Sequence, residues 1–424
     1  MKPRSLTSLG FDPQALLALL GIGVGLAAAS APAGASCLQL AWNTVLVNQS
    51  PPGRLGHGMA YDSFRGVTIM FGGLDTNSIP LADTWQFDAH GWKQLQPAHV
   101  PPARFRHTLS YDASRGVIVL FGGRDNGSNF NDLWEWNGSD WTSVTATGDV
   151  PAPRHWHGMA FDSLRGVHVL YGGYSSGTQQ YQDTVEYDGK LKTWTLRTTN
   201  GPGPRRGIGL AYDAAHNRTV LFGGYTSAGA TLPDHYLADT WLWDGQAGIW
   251  YLQAPATFVQ GRTLYSMAYD SVRSVVLMQN GEIAFDTTTT ATVRESWEWN
   301  GTDWSQHYDF CCPRREAALV YELAHQRMIM FSGDGARLDQ TWSLAPVWGP
   351  QGAVQVDWNP QVPNVYPTVR QGLAAARGNC VLVDIRVGDY NETLSGANPL
   401  VITKGAQLST YTLFGDTATA VRIH

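Results

Sequence analysis

The sequence is poor in charge and in long apolar runs. Only 15% of its 424 residues are charged, and its 29 basic and 35 acidic residues give a net charge of −6 without a basic cluster. Nucleic-acid binding requires a positive surface that neutralises phosphates, so this class of partner is excluded. After residue 29 no segment approaches the ~20 apolar residues of a membrane-spanning helix, so we expect no membrane span in the mature chain.

Recognisable chemistry is also scarce. No catalytic triad, metal-ligand motif or phosphate-binding loop stands out, so neither a cofactor nor a metal is predicted. What the chain has in quantity is 43% hydrophobic residues, 46 glycines, 22 prolines and 17 tryptophans. This composition indicates a globular, all-β protein made of many short strands and turns, and it disfavours a helical fold.

Residues 1–35 resemble a secretory signal peptide. Lys2 and Arg4 precede an apolar run over residues 15–29, and Ala33-Gly34-Ala35 supplies small residues for a signal peptidase. We therefore expect a secreted, periplasmic or cell-surface protein after cleavage of this signal peptide. A retained anchor, or a lipoprotein processed at Cys37, are the alternatives.

One unit of ~50 residues occurs six times. A tryptophan opens the last strand of each copy, and these tryptophans lie 49 to 56 residues apart. They are Trp42, Trp92, Trp141, Trp194, Trp250 and Trp304. Within a copy, an aromatic-acidic pair such as Tyr61-Asp62 ends the first strand, a double glycine such as Gly72-Gly73 follows the second, and a triplet such as Asp83-Thr84-Trp85 opens the third. Four short strands in this period predict one blade of a β-propeller.

These motifs resemble those of the kelch family. The resemblance implies a six-bladed kelch-type β-propeller over residues 36–348. The copy at residues 314–347 lacks a fourth strand, whereas residues 38–47 contain a fourth strand without a blade. We therefore expect the N-terminal strand to close the propeller and remove its open edge. The tryptophans of the third and fourth strands, Trp134 among them, are predicted to pack blade against blade.

The connections of an antiparallel blade alternate between two faces. The loops before the first strand and between the second and third strands share one face, here named the loop face. The remaining connections share the opposite side, the turn face, where regular turns such as residues 62–66 serve only structure. Because variable loops on a rigid scaffold usually carry function, the loop face is the predicted binding surface.

Basic and aromatic side chains recur where the chain enters each blade on the loop face. The ligand-binding candidates are Arg54, His57, Arg104, Arg106, His107, Arg154, Trp156, His157, Arg205, Arg206 and Arg262, and Arg314 completes the set of one arginine per blade. Six cations around a channel would favour an anionic or polyhydroxylated guest. Three points stay open: these arginines and histidines could instead bond within the blades, the three histidines could hold a metal, and Trp156 could stack on a sugar ring.

The four cysteines are expected to pair as Cys37 with Cys380, with Cys311 and Cys312 joined to each other or left free. The topology places Cys37 and Cys380 on the turn face and the other two on the loop face, beyond disulfide reach.

Residues 349–424 form a separate unit. Residues 353–363 read as a linker, residues 369–376 as a short helix, and residues 380–383, 389–392 and 400–403 as short strands. This segment resembles the cap and first coil of a pectate-lyase-like, right-handed parallel β-helix. Such a fold needs many coils, so either the chain is incomplete or the tail is a small cap.

Two functions are compatible with these features. The first is an exported scaffold that displays loops for an extracellular protein or a glycan. The second is a carbohydrate-active enzyme, since kelch propellers include galactose oxidase and a bacterial sialic acid mutarotase. The adjacent Cys311 and Cys312 do not suit a copper oxidase, so a metal-free sugar isomerase that uses acid-base side chains is the better enzymatic alternative.

Overall fold

The structure is a computed structural model. It describes residues 38–176, 179–227, 235–285, 289–308, 313–334 and 339–348, together with five strands of the C-terminal segment. The chain divides into two compact units, Leu40–Val347 and the two chain ends, Met1–Gln39 with Trp348–His424. The predicted signal peptide and all four cysteines lie outside the described residues, so the disulfide prediction stays a prediction.

Unit Leu40–Val347 consists of β-sheets. The closing strand is β1 (Leu38–Thr44). Blades 1 to 3 contain β2 (Arg54–Leu55), β3 (Gly58–Asp62), β4 (Val67–Phe71), β5 (Leu74–Asp75), β6 (Thr84–Asp88), β7 (Gly91–Leu95), β8 (Thr108–Asp112), β9 (Val117–Phe121), β10 (Leu133–Trp136), β11 (Trp141–Val144), β12 (Thr147–Gly148), β13 (Gly158–Asp162), β14 (Val167–Tyr171), β15 (Thr184–Asp188) and β16 (Thr193–Thr198).

Blades 4 to 6 contain β17 (Leu210–Asp213), β18 (Arg218–Tyr225), β19 (Tyr236–Asp244), β20 (Ile249–Leu252), β21 (Arg262–Thr263), β22 (Ser266–Asp270), β23 (Val275–Gln279), β24 (Glu282–Ala284), β25 (Thr290–Thr292), β26 (Glu295–Trp299), β27 (Trp304–Tyr308), β28 (Ala318–Glu322), β29 (Arg327–Phe331) and β30 (Thr341–Trp348). A 3₁₀ turn, Leu323–His325, joins β28 to β29. In the part of the chain that the structure describes, no helix is both long and apolar enough to span a membrane.

The six blades form a closed ring. Each is an antiparallel meander, and the sixth has the strand order β1-β30-β29-β28, so the N-terminal strand completes the last blade as predicted. The innermost strands β3, β8, β13, β17, β22 and β28 contact one another in turn, and β28 returns to β3. The predicted all-β, six-bladed propeller is therefore confirmed.

The hydrophobic core lies between the blades. Six clusters of buried side chains each combine residues of two neighbouring blades, and the cluster between blades 1 and 2 packs Ile69 and Phe71 against Ile118, Trp136 and Trp141. Each blade therefore buries its two apolar faces only when both neighbours are present. Two third-strand tryptophans, Trp134 and Trp241, are only half-buried, although both pack against these clusters.

The fourth-strand tryptophans also bond across these interfaces. The Trp141 indole nitrogen donates to Thr84 Oγ1 of the preceding blade at 3.0 Å, and the indoles of Trp42, Trp92, Trp250 and Trp304 bond equivalent hydroxyls. In blade 2 the hydroxyl is replaced by Leu133. The buried Trp194 indole nitrogen opposite it has no hydrogen-bond partner among the described residues.

The double glycines permit the close approach of adjacent blades. Gly72 has a φ of 63°, and a Cβ there would lie 2.6 Å from the carbonyl oxygen of Arg104 in the next blade. Gly73 then donates its N–H to the same oxygen at 2.9 Å. In blades 5 and 6, Asn280 and Ser332 occupy the first glycine position with left-handed φ values of 62° and 54°.

The first strands line a central channel with a cavity of about 370 Å³. Its wall is made of small and apolar side chains, for example Ala60, Ala160 and Ala268. At the turn face the aromatic residues of the aromatic-acidic pairs reach the preceding blade, and Tyr111 Oη accepts the N–H of Phe64 at 3.2 Å. These contacts explain why the regular turns serve structure.

The C-terminal unit contains a five-stranded mixed sheet. Its strands are β31 (Ala353–Val356), β32 (Val365–Tyr366), β33 (Val381–Ile385), β34 (Thr412–Phe414) and β35 (Thr419–Ile423). β31 pairs in parallel with β32 and β33, β33 pairs in parallel with β35, and β34 is antiparallel to β35. β31 lies in the stretch interpreted as a linker. The predicted helix and the predicted strands at residues 389–392 and 400–403 lie outside the described residues, and the likeness to a β-helix stays a prediction.

Candidate functional site

The one-per-blade arginines are buried inside their blades. Arg54 donates from Nη1 and Nη2 to the two carboxylate oxygens of Asp83 at 2.6 and 2.8 Å, from Nη1 to the Gly72 carbonyl at 2.9 Å, and from Nε to the Pro52 carbonyl at 3.0 Å. The four arginines that repeat a carboxylate pair of this kind are Arg104, Arg154, Arg205 and Arg262.

This arrangement counts against the expectation that these arginines meet a ligand. Arg54 is 1% exposed and Arg104 is fully buried, and the other members of the set are equally covered. A carboxylate of the same blade compensates the charge of each paired arginine. The N–H groups of these side chains donate to the entry loop and to the acidic residue at the start of the third strand. Arg314 differs because Gln340 replaces the acidic residue, but its side chain is also buried and Nη1 donates to the Ser332 carbonyl at 2.7 Å.

The three equivalent histidines are buried as neutral side chains. His57, His107 and His157 each pack edge-on against a phenylalanine of the preceding blade, with ring centroids 5.5 to 5.6 Å apart. Burial lowers the pKa of His57 to about 3 and lowers the pKa values of His107 and His157 well below their usual value. Within the described ranges no three His, Cys, Asp or Glu side chains are placed to hold a metal ion.

A ring of backbone hydrogen bonds encircles the channel at the loop face. The six residues of this ring follow the buried arginines by two positions and are Gly56, Arg106, Trp156, Gly207, Leu264 and Glu316. Each donates its N–H to the carbonyl of the ring residue in the preceding blade at 2.5 to 3.1 Å, and Gly56 closes the ring by donating to Glu316 at 3.0 Å. All six have a left-handed φ between 54° and 65°. We name these six residues the ring positions and the channel end they surround the mouth.

Three ring side chains form one chain of contacts. Arg106 donates from Nε and Nη2 to both carboxylate oxygens of Glu316 at 2.9 Å each. The Arg106 guanidinium carbon also lies 3.8 Å from the ring centroid of Trp156. The mouth therefore carries a cation held between a carboxylate and an aromatic face, and part of each of these three groups is exposed.

A second circle of side chains surrounds the ring. Each blade contributes two residues to this second circle. One precedes the ring position, and the other is its cross-strand partner, which follows the double-glycine position. These pairs are Leu55 with Leu74, Phe105 with Arg124, His155 with Tyr174, Arg206 with Tyr225, Thr263 with Glu282 and Arg315 with Asp334. Blades 2 to 4 thus supply cationic and aromatic groups, whereas blades 5 and 6 supply the carboxylates, of which Glu282 and Asp334 both pair with Arg315.

The predicted residues separate into two groups. Arg106, Trp156 and Arg206 come together at the mouth, and His155 lies beside them with its ring 4.8 Å from the Trp156 ring. Arg54, His57, Arg104, His107, Arg154, His157, Arg205 and Arg262 are buried in or between blades. Sequence reasoning missed Glu316, Arg124, Tyr174, Tyr225 and Glu282. Their signal was positional, because each stands two residues after a buried arginine or directly after the double-glycine position.

The comparisons with known proteins agree with this architecture. Residues 70–295 match the family described as the Attractin/LZTR1 beta-propeller. No curated protein matches the chain. The solved structure of YjhT is 14% identical, covers 70% of this chain and 96% of its own, and superposes with a TM-score of 0.56, a likeness that shows the fold alone. Because the family match spans just over half of the residues, the chain belongs to the Attractin/LZTR1 β-propeller family.

Proposed function

We propose that the chain is an exported binding protein whose propeller holds the mouth side chains rigid and presents them to a glycan or to the surface of another protein. Export is an expectation from residues 1–35. N-terminal sequencing of protein recovered outside the cytoplasm tests it, and a mature chain beginning at Ser36 is the expected result.

The observation that carries this proposal is the occupancy of the ring positions. A left-handed φ costs a bulky side chain roughly 1 to 3 kcal/mol, and glycine avoids that cost. Gly56 and Gly207 show that glycine can occupy a ring position and form its backbone hydrogen bonds. Trp156 nevertheless has a φ of 57° and places a large, half-buried indole at the mouth. Backbone strain retained at a half-buried position, next to a cation, supports a binding role for this indole.

Aromatic faces beside charged groups suit sugars and protein side chains alike. Trp156 lies against Arg106 on one side and is 5.5 Å from the Arg206 guanidinium carbon. The proposed site is therefore an aromatic platform with cationic edges, carried by elements that the ring of hydrogen bonds fixes in place.

A glycan array and a panel of candidate surface proteins test the proposal. Trp156→Ala is expected to abolish binding with little loss of stability. Alanine relieves part of the steric strain of the left-handed backbone, and Trp156 belongs to neither of the hydrophobic clusters that flank its blade. Trp134→Ala is the matched control, since it removes a half-buried indole from a third strand away from the mouth. Binding by Trp156→Ala at wild-type strength would refute the proposal.

A metal-free sugar isomerase is the second candidate. The observation that favours it is the acidic side of the mouth, where Glu282 accepts a hydrogen bond from Tyr236 Oη at 2.7 Å and Glu316 pairs with Arg106. Carboxylates beside a hydroxyl donor can act as acid and base on a bound sugar. Exchange spectroscopy of reducing sugars with and without protein would detect anomer interconversion, and Glu282→Gln should abolish it.

A further inference from the structure

Two arginines at the mouth, Arg124 and Arg206, form no ion pair with a carboxylate among the described residues. Most arginines of the described chain lie within 4 Å of a carboxylate, and at the mouth this holds for Arg106 with Glu316 and for Arg315 with Glu282. The Arg124 and Arg206 side chains are both half-buried. Asp125 lies within electrostatic reach of Arg124, so Arg206 is the less compensated of the two positive charges on the second circle.

Arg206 is held with aromatic rings around it. Its guanidinium carbon lies 4.3 Å from the Tyr174 ring centroid, 4.7 Å from that of Tyr225 and 5.5 Å from that of Trp156. Contacts of this kind attract the cation through the faces of the rings and leave the planar edge of N–H donors available. That edge matches the two oxygens of a carboxylate or of another oxyanion.

His155 lies among the same cations and is fully buried. Asn129 Nδ2 donates to the Ser175 carbonyl at 2.8 Å, so Asn129 Oδ1 is the acceptor that faces His155 Nδ1 at 2.7 Å. Nδ1 therefore carries the proton. Nε2 is left as a buried acceptor without a partner among the described residues, and the Trp156 indole nitrogen beside it is a buried donor without one.

The positive charges also act on this imidazole. Burial, followed by the positive charges of Arg106, Arg124 and Arg206, lowers the pKa of His155 to about 3. Three guanidinium groups thus lie within electrostatic reach of one neutral ring. Glu316 pairs with Arg106 and Asp125 interacts with Arg124, whereas Arg206 has no ion-pair partner among the described residues. An uncompensated cationic site of this kind favours an anionic guest.

We propose that the mouth binds a sugar that carries an oxyanion, with the oxyanion on Arg206 and Arg124 and the sugar ring against Trp156. This proposal rests on the proposed function and names its ligand class. A carboxylate and a sulfate ester share the required chemistry.

Matched sugars provide the test. Binding is measured by calorimetry for a uronic-acid oligosaccharide, for the same oligosaccharide with its carboxyl groups reduced to alcohols, and for a sulfated form of the reduced one. We expect tight binding of the first, a loss of about tenfold or more on reduction, and recovery of binding if sulfate serves as well as carboxylate. Absence of recovery would identify carboxylate as the required group. Equal binding of the acid and its reduced form would overturn the proposal.

Charge variants locate the contact. Arg206→Gln should weaken binding of the acidic sugar by about tenfold, and Arg124→Gln should weaken it in the same direction. Lys190→Gln is the matched control because it removes one exposed positive charge from a turn-face connection. Thermal melts show whether each variant is folded. A change of less than about twofold in folded Arg206→Gln would refute the assignment, since a charge-assisted pair contributes more than that.

The outcomes separate this proposal from the function on which it rests. If the neutral sugar binds as well as the acid and binding still depends on Trp156, the mouth remains the site and the oxyanion proposal fails. If no sugar binds, the oxyanion proposal fails and the proposed function is decided by the panel of surface proteins. If Trp156→Ala binds its ligand as tightly as the wild type, the mouth is not the binding site and both proposals fail.

Discussion

Thr84→Val tests the account of how the blades are held together. The Thr84 hydroxyl accepts the indole N–H of Trp141 at 3.0 Å, and both side chains are almost completely buried. Valine has nearly the same shape as threonine but cannot accept this hydrogen bond. The variant therefore leaves a buried indole N–H without an acceptor and does not open a cavity.

An unpaired buried donor costs about 1 to 3 kcal/mol, so Thr84→Val should lower the free energy of unfolding by this amount. If the urea dependence is about 3 kcal/mol per M, the midpoint should fall by roughly 0.3 to 1 M while the slope stays unchanged. Urea titrations followed by tryptophan fluorescence and by circular dichroism measure both quantities.

The chain supplies the reverse experiment at blade 2. Leu133 stands where Thr84 does, and the Trp194 indole opposite it has no partner among the described residues. Leu133→Thr and Leu133→Val both remove buried volume, so they are compared with each other. The threonine variant should be more stable by about 0.5 to 1.5 kcal/mol, because only it can accept the indole N–H. Equal stability of these two variants, together with a native-like Thr84→Val, would refute the reasoning.

Three further predictions concern single side chains. Asp183→Asn should reduce the free energy of unfolding by about 3 kcal/mol, because the buried Arg154 loses its countercharge. The loss should lie at the lower end of the range for buried pairs, since the Asp183 side chain is 21% exposed. Denaturant titration measures this loss, and a change below about 1 kcal/mol would contradict the prediction. His157 is neutral in the folded protein because burial lowers its pKa. The stability of the native state should therefore fall as the pH drops below the pKa near 6.5 of the unfolded state. His157→Ile should make stability less dependent on pH in denaturant titrations between pH 7 and 4. Trp136→Ala should cost about 3 to 5 kcal/mol and Trp134→Ala clearly less in thermal melts, since Trp136 is 1% exposed and Trp134 is half-buried; equal costs would be inconsistent with this packing.

The repeat made the architecture predictable. Six copies of the same motifs indicated six blades, and the missing fourth strand after residue 314 indicated that residues near Trp42 would close the ring. The motifs were informative because they are local. Turns such as residues 62–66 and positions such as Gly72 require particular backbone angles, and these angles restrict which residue types can occur there. The degree of burial of Trp134 was not predictable, since the position of a side chain within a sheet does not determine how far its neighbours cover it.

The site was predictable only in part. Arg54 and Arg106 look alike in sequence, yet one is buried against Asp83 and the other lies at the mouth against Glu316. The difference is tertiary, because a partner about 30 residues away in the same blade captures the first arginine, whereas the partner of the second is 210 residues away. Spacing along the chain carries no information about the second kind of contact.

The closing strand has a consequence for synthesis of the protein. β1 emerges from the ribosome first, but β30, the strand it pairs with, begins at Thr341. At roughly 5 to 20 residues per second, the nascent chain spends about 15 to 60 s with β1 complete and its partner not yet made. During this interval β1 is an unpaired strand that can pair with another chain. Completion of the ring therefore waits for the last blade, and until then the first strand is open to pairing with the wrong partner.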